Sequence, residues 1–413
     1  MDNANVFVAL RAAFPADLDA IAVETGDGPS GAAFTPLYYT WRDLERGTAM
    51  LANLLDRLDL PAQSRIAAQV DKSVEALMLY LAVLRAGHVF LPLNTAYQAA
   101  EIAYFIGNAE PVVVVCTPKS FPWVSRIAFS AGTGHVFTLG DDRSGSLLER
   151  AARCSDVHAP APRRADDLAA MVYTSGTTGR SKGAMLSHGN ILSNALTLKD
   201  HWGWQSGDVL IHALPIFHIH GLFVASHGAL LNGSPMIWFG KFDPKAVIAR
   251  MAEATVFMGV PTLYVRMLAE PSLTMDAAAH MRLFISGSAP LLVETFDDWT
   301  LRTGHTILER YGMSETVMLT SNPAAPATAC AGAAPSDHRC PASACASSTT
   351  PARPAAATTS ATSRSRDRAC SRATGACRRR PPRSSRPTSG SRPATSARST
   401  PTATSRSSAA ART

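Results

Sequence analysis

The stretch at residues 173–184, YTSGTTGRSKGA, decides how this chain is read. Three glycines, Gly176, Gly179 and Gly183, permit tight turns and close backbone approach. Thr174, Ser175, Thr177 and Thr178 offer hydroxyl donors, and Lys182 offers a positive charge. Together they suit a polyphosphate held by backbone N–H groups and hydroxyls. The loop is not of the Walker A type, which requires Gly-x4-Gly-Lys-Ser/Thr. Here two residues separate Gly179 from Lys182, and Gly183 follows the lysine. A flexible Ser/Gly/Thr linker is the bland alternative.

Outward from the loop the chain alternates strands and helices. Residues 169–173 read as a strand, and Ser187 as the cap of a helix to about Leu198. Upstream, Thr40 caps a helix to about Leu58, and residues 65–70 form a strand. Ser73 opens a helix ended by Gly87, residues 99–108 form another, and PVVVVC at 111–116 is a buried strand. Downstream, strands are expected at 209–213, 256–258, 283–286 and 306–309. Helices are expected after Asp243-Pro244 and at 291–303, the latter stopped by Gly304. This alternation predicts an α/β fold of layered, largely parallel sheets and helices.

The alternation stops near Pro323. Residues 324–413 contain no Leu, Ile, Val, Phe, Met, Trp, Tyr, Lys or Glu, so they lack what a core requires. They carry 15 Arg and two Asp, which leaves residues 1–323 at −6 of the formal +7. The expected organisation is an N-terminal domain over 1–323, incomplete at its C-terminal end, and a disordered tail over 324–413. The tail's alphabet is that of GC-rich codons read out of frame, so a frameshift after Asn322-Pro323 is the expectation. A genuine Arg/Ser/Pro tail is the alternative. Fifteen arginines imply nonspecific phosphate binding, but no interleaved aromatics offer base stacking, so no specific nucleic-acid partner is expected. Only Cys116 and Cys154 lie in the body, which suits a reducing compartment. No signal peptide or stretch of about 20 apolar residues is legible, so a cytoplasmic, membrane-free enzyme is expected.

The loop at 173–183 resembles the phosphate loop of the adenylate-forming superfamily, which includes acyl-CoA synthetases, luciferases and peptide-synthetase adenylation domains. PIFHIHGL at 215–222, GVPTLY at 259–264, ISGSAPL at 285–291 and ERYGMSET at 309–316 follow in that family's order. The resemblance covers residues 20–323 and is closest to the malonyl-CoA synthetases over SGSAPLL and LERYGMSET.

The resemblance implies an acyl-CoA synthetase-like large domain and a set of roles. Thr174, Ser175, Gly176, Thr177, Thr178, Gly179 and Lys182 would hold the ATP phosphates. Gly287, Ser288 and Ala289 would approach the adenine through their backbone, with Tyr311 stacked on it and Gly312 beside it. Ser314 stands where the family usually has Thr and keeps the hydroxyl. Glu315 would hold Mg²⁺, and Thr174, Lys182 and Glu315 would carry catalysis. His218 and Phe217 would wall the acyl site, while His212 and His220 read as structural. Ile219 and Met318 would set pocket size, although related malonyl enzymes often have Thr at the position of Ile219. A second substrate carboxylate calls for an arginine fork; the candidates are Arg266, Arg310 and Arg282, in that order.

The implied reaction joins malonate, or a similar short dicarboxylate, to CoA at the expense of ATP. The family's later elements, a TGD segment, a hinge and a C-terminal lysine, do not occur after Pro323. The chain as written is therefore expected to turn over slowly or not at all. Alternatives are a non-catalytic nucleotide-binding pseudoenzyme, a synthetase for another small acid, or a peptide-synthetase adenylation domain.

Overall fold

The computed structural model describes residues 3–26, 35–174 and 180–323. The whole reading of 324–413 lies outside them.

Two sheets carry the described chain. The six-stranded sheet runs in the order His135–Thr138, Val113–Cys116, Arg65–Gln69, Val89–Pro92, Leu168–Thr174, Lys182–Ser187. Every pairing in it is parallel except the last, an antiparallel hairpin. The eight-stranded sheet runs Thr320–Ser321, Ile307–Tyr311, Leu283–Ser286, Val256–Gly259, Leu210–His212, Met236–Trp238, Ile21–Thr25, Tyr38–Thr40. Its interior pairings are parallel and its two outermost pairs antiparallel. The layered, largely parallel α/β expectation therefore holds.

Local chemistry explains the elements. Val113–Cys116 and Leu283–Ser286 are buried at every residue, as strands covered on both faces must be. Thr40 and Asp43 form a capping box that starts the helix Trp41–Asp56. Ser73 caps Val74–Arg85, whose residues are all buried because its sequence is apolar on every face apart from Glu75 and Arg85 near its ends. Tyr80 of that helix meets Phe90 of the six-stranded sheet at 5.1 Å and Phe223 at 5.9 Å. The helix thus lies between the six-stranded sheet and the segment His220–Ser226.

Two elements depart from expectation. Lys182 begins a strand, Lys182–Ser187, that pairs back on Leu168–Thr174; KGAMLS has no β-branched run to announce it. His220–Ser226 winds as a π-helix before the α-helix His227–Asn232. Such wide turns are rare and concentrate at functional sites.

Candidate active site

Thr174, Gly287 and Tyr311 lie where parallel strands end at their carboxyl sides, the edge where open α/β sheets bind ligands. The hairpin register places Thr174 directly opposite Lys182. The described residues on either side of 175–179 are therefore held close together. Tyr104 Oη donates to the Ser181 carbonyl at 2.7 Å, and Tyr173 Oη donates to Asn108 Oδ1 at 2.6 Å, fixing both sides. Ser175, Gly176, Thr177, Thr178 and Gly179 lie outside the described residues. Lys182 is exposed and Thr174 half-buried.

From the other sheet, the loop 312–319 follows Ile307–Tyr311 and returns as Thr320–Ser321. It brings Glu315 to Thr174, whose Oγ1 donates to Oε1 at 3.5 Å, the outer limit of a hydrogen bond. Two residues that the sequence assigned to catalysis thus meet across the two sheets. The loop is tight. A Cβ on Gly312 would sit 1.9 Å from the Val317 carbonyl oxygen, so only glycine fits. Val317 takes a left-handed φ of +62° although β-branched. Asn194 Nδ2 holds the Met318 carbonyl at 2.9 Å. Tyr311, at the strand end, is 56% exposed. Ser314 is half-buried and Met318 is buried.

Beneath the turn Gly287–Ser288–Ala289 lies the least expected feature. A Cβ on Gly287 would be 2.6 Å from Arg310 Cζ, so the glycine admits the guanidinium directly under the backbone. Arg310 is buried, has no ion pair among the described residues, and its Nε and Nη2 are sealed off without a hydrogen-bond partner. Burial pushes its pKa down to about 9, which still leaves it charged at neutral pH. Ser288 has a φ of +69° and its Oγ lies 3.3 Å from His220 Nδ1. His220 is buried; that burial, with Arg310 nearby, holds its pKa well below the usual range. His220 was read as structural, yet it touches the turn; the overlooked cue is its place two residues after His218 in HIHG.

The other candidates divide. His218 is exposed and Ile219 buried, both on the loop before the π-helix. Arg282 precedes Leu283–Ser286, at the opposite end of the strand from Gly287, and forks onto Asp208 through Nε at 3.1 Å and through Nη2. Arg266 is exposed in the last turn of Pro261–Leu268, its guanidinium 4.7 Å from the Phe242 ring. Geometry moves Arg310 ahead of Arg266 and leaves Arg282 last: Arg310 is buried with no ion pair among the described residues, Arg266 is exposed, and Arg282 already has Asp208.

The AMP-binding enzyme family profile matches residues 19–343, most of the chain. The chain belongs to the AMP-binding enzyme family. Its match runs past Pro323, where composition breaks. The crystal structure of apo MatB from Rhodopseudomonas palustris superposes with a TM-score of 0.73 at 51% identity, over 79% of this chain and 62% of that one. The ATP-bound form of the same protein gives the same TM-score and identity over 63% of its chain. A human protein named malonate–CoA ligase ACSF3, mitochondrial, is 29% identical over 307 residues, 69% of this chain and 52% of its own. The chain spans about half the length of the curated relatives it matches.

Among the described residues no helix is long and apolar enough to cross a membrane, and no three His, Cys, Asp or Glu side chains cluster as a metal cage. Mg²⁺ does not need one. It keeps several waters and takes one or two protein oxygens plus substrate phosphates. Glu315 with the Thr174 hydroxyl fits that pattern.

Proposed function

We propose that this chain is the nucleotide- and acid-binding part of an ATP-dependent carboxylate–CoA ligase whose acid is malonate or a similar short dicarboxylate. One observation carries the choice of acid. Arg310 is a buried cation whose desolvation costs several kcal/mol, with two donors left open beside the Gly287–Ser288 turn. A dicarboxylate supplies the missing anion and satisfies those donors, while the carboxylate to be activated stays outside. A monocarboxylate would leave the charge stranded. The likeness to MatB and to the malonate–CoA ligases supports the same reading.

The reaction follows in two displacements. A carboxylate oxygen attacks the α-phosphorus of ATP, the bond to the β-phosphate bridge breaks, and an acyl-adenylate and pyrophosphate form. The CoA thiol then attacks the acyl carbon and AMP leaves. Thr174 and Lys182, paired across the antiparallel strands, would bind the phosphates, and Tyr311 would stack on adenine. Glu315 would hold Mg²⁺, which offsets phosphate charge when bound. His218 and Ile219 would wall the acid site, in which Met318 limits size. We infer a cytoplasmic location from the two free body thiols, Cys116 and Cys154.

Calorimetry with malonate, acetate and ATP–Mg²⁺ tests the assignment, with pyrophosphate release as the second readout. Malonate should bind at least about tenfold more tightly than acetate, a charged hydrogen bond being worth about 1.5–3 kcal/mol. Equal affinities would remove Arg310 from the argument. For residues 324–413 the proposal remains an out-of-frame reading. Shifting the frame by one base after codon 323 should open a segment with TGD, a hinge and a late lysine; stop codons there in both other frames would end that idea.

A further inference from the structure

A second cation, far from Arg310 in sequence, occupies the seam between the sheets. Lys72 follows Arg65–Gln69 of the six-stranded sheet, but its ammonium reaches across to the eight-stranded one. Nζ donates to the carbonyls of His212 and Phe239, each at 2.7 Å, and to His212 Nδ1 at 2.9 Å. It also lies 4.4 Å from the Trp238 ring centroid. His212 ends the strand Leu210–His212, and Phe239 follows the carboxyl end of Met236–Trp238.

The contact determines how His212 is used. An ammonium has only donors, so Nδ1 must be the accepting nitrogen and Nε2 must carry the proton. Nε2 lies 3.0 Å from the Gly221 carbonyl and 3.0 Å from Ser226 Oγ, and Ser226 Oγ itself donates to that carbonyl at 2.9 Å. His212 is buried, and that burial, with Lys72 adding to it, holds its pKa well below the usual range, so it stays neutral. The carbonyl of Gly221 lies in the π-helical turn and takes its donors from these two side chains. Gly221 is also where the loop closes: a Cβ there would lie 2.1 Å from the Pro215 carbonyl oxygen. The chain therefore leaves the sheet at His212, carries His218 and Ile219 around the loop, and returns to be clasped by the same His212.

We propose that Lys72 is a positioning residue for the acid-binding loop 213–219, acting through the tautomer of His212 and its clasp on Gly221. The inference rests on the reading of His218 and Ile219 as walls of the acid site. A lysine placed here only to fill space would carry a desolvation cost that a methionine avoids. Its use is the fixed imidazole, which a side chain without donors cannot impose.

The test has two arms on the full chain. In Lys72→Met, hydrogen exchange of the amides in 219–224 should quicken about tenfold, the loss expected for one charge-assisted bond, with helix Val74–Arg85 unchanged. Malonate should bind about tenfold more weakly while ATP binding stays within about twofold, and Lys72→Arg should recover part of the difference. If Lys72→Met does not fold, His212→Leu takes its place; it can neither accept from Lys72 nor donate to the Gly221 carbonyl, so exchange in 219–224 should quicken about tenfold, and unchanged exchange there overturns the proposal. Unchanged exchange in 219–224 for Lys72→Met overturns the proposal, as does an equal loss of malonate and ATP affinity. Should the parent chain bind neither ligand, the proposed function fails, and the exchange arm still decides the role of Lys72.

Discussion

Two arginines in this molecule are equally hidden, each 3% exposed, and they do opposite things. Arg85 ends the helix Val74–Arg85 in a knot of acceptors. Nη1 donates to the Glu45 carbonyl at 2.9 Å and Thr48 Oγ1 at 3.0 Å, Nη2 donates to Glu45 Oε1 at 3.0 Å, and Nε donates to the His158 carbonyl at 3.1 Å. Its guanidinium also lies 4.8 Å from the Phe7 ring. Arg310 has a glycine above it and two nitrogens with no hydrogen-bond partner among the described residues. A satisfied buried charge ties the fold together; an unsatisfied one fits the proposal that a substrate anion arrives to pair it.

Breaking the satisfied site should have the largest effect. Arg85→Leu leaves the Glu45 carboxylate and several carbonyls without their donor, and removing one partner of a buried pair costs about 3–5 kcal/mol. Urea denaturation should show that loss, whereas Arg310→Leu should be neutral or stabilising because it removes an unpaired charge. If both variants lose stability equally, the contrast between the two sites is wrong.

Buried imidazoles sharpen the same contrast through pH. His188 Nδ1 accepts from the Val6 amide at 3.1 Å, and burial pushes its pKa down to about 4. His227 lies 2.9 Å from Tyr80 Oη, and burial pushes it down to about 3. Both fold neutral. Between their unfolded pKa near 6.5 and those folded values, the unfolded chain binds more protons, so stability falls as pH falls through that window. Down to pH 4.5 each accounts for up to about 2.7 kcal/mol, at about 1.36 kcal/mol per pH unit. Unfolding midpoints at pH 7, 5.5 and 4.5 should drop steadily, and His188→Gln should flatten part of the slope. A profile level from pH 7 to 4.5 would contradict the sealed-imidazole picture.

Arg310→Leu should then cost malonate binding about 2–3 kcal/mol, thirtyfold or more, with ATP affinity little changed. Arg282→Leu is the control. Its partner Asp208 is 3% exposed on the side chain, so stability should fall while malonate affinity holds. Loss of malonate binding from Arg282→Leu alone would restore the wider choice that sequence left open.

How much of this was legible in the sequence depends on whether the cause is local. Capping by Thr40, Ser73, Ser187 and Asp243 was readable because side chain and amide lie three residues apart, and each cap is present. The buried strands were readable from β-branched runs. The hairpin strand Lys182–Ser187 was not, since partner and register, not composition, make KGAMLS extended. In the site, the motifs named residues but put Arg266 ahead of Arg310. Arg282 and Arg310 look alike in sequence. Only the fold supplies Asp208 to one and withholds a counter-ion from the other. His220 and Lys72 were missed for the same reason: their partners lie 68 and 140 residues away.

Two glycines give the finest version of the comparison. At Gly287 an added methyl would meet the Arg310 guanidinium at 2.6 Å, so Gly287→Ala must displace that group and should weaken malonate binding. At Gly304, which ends the helix Val293–Thr303 with φ +75°, the nearest atom to an added Cβ is Met275 Cε at 4.0 Å. Nothing there is displaced, and only the left-handed backbone objects. Gly304→Ala should therefore cost about 1 kcal/mol of stability, or 2–4 °C in melting temperature, and leave ligand affinity untouched. A loss of malonate affinity from Gly304→Ala as large as that from Gly287→Ala would mean that general loosening, not contact with Arg310, governs the acid site.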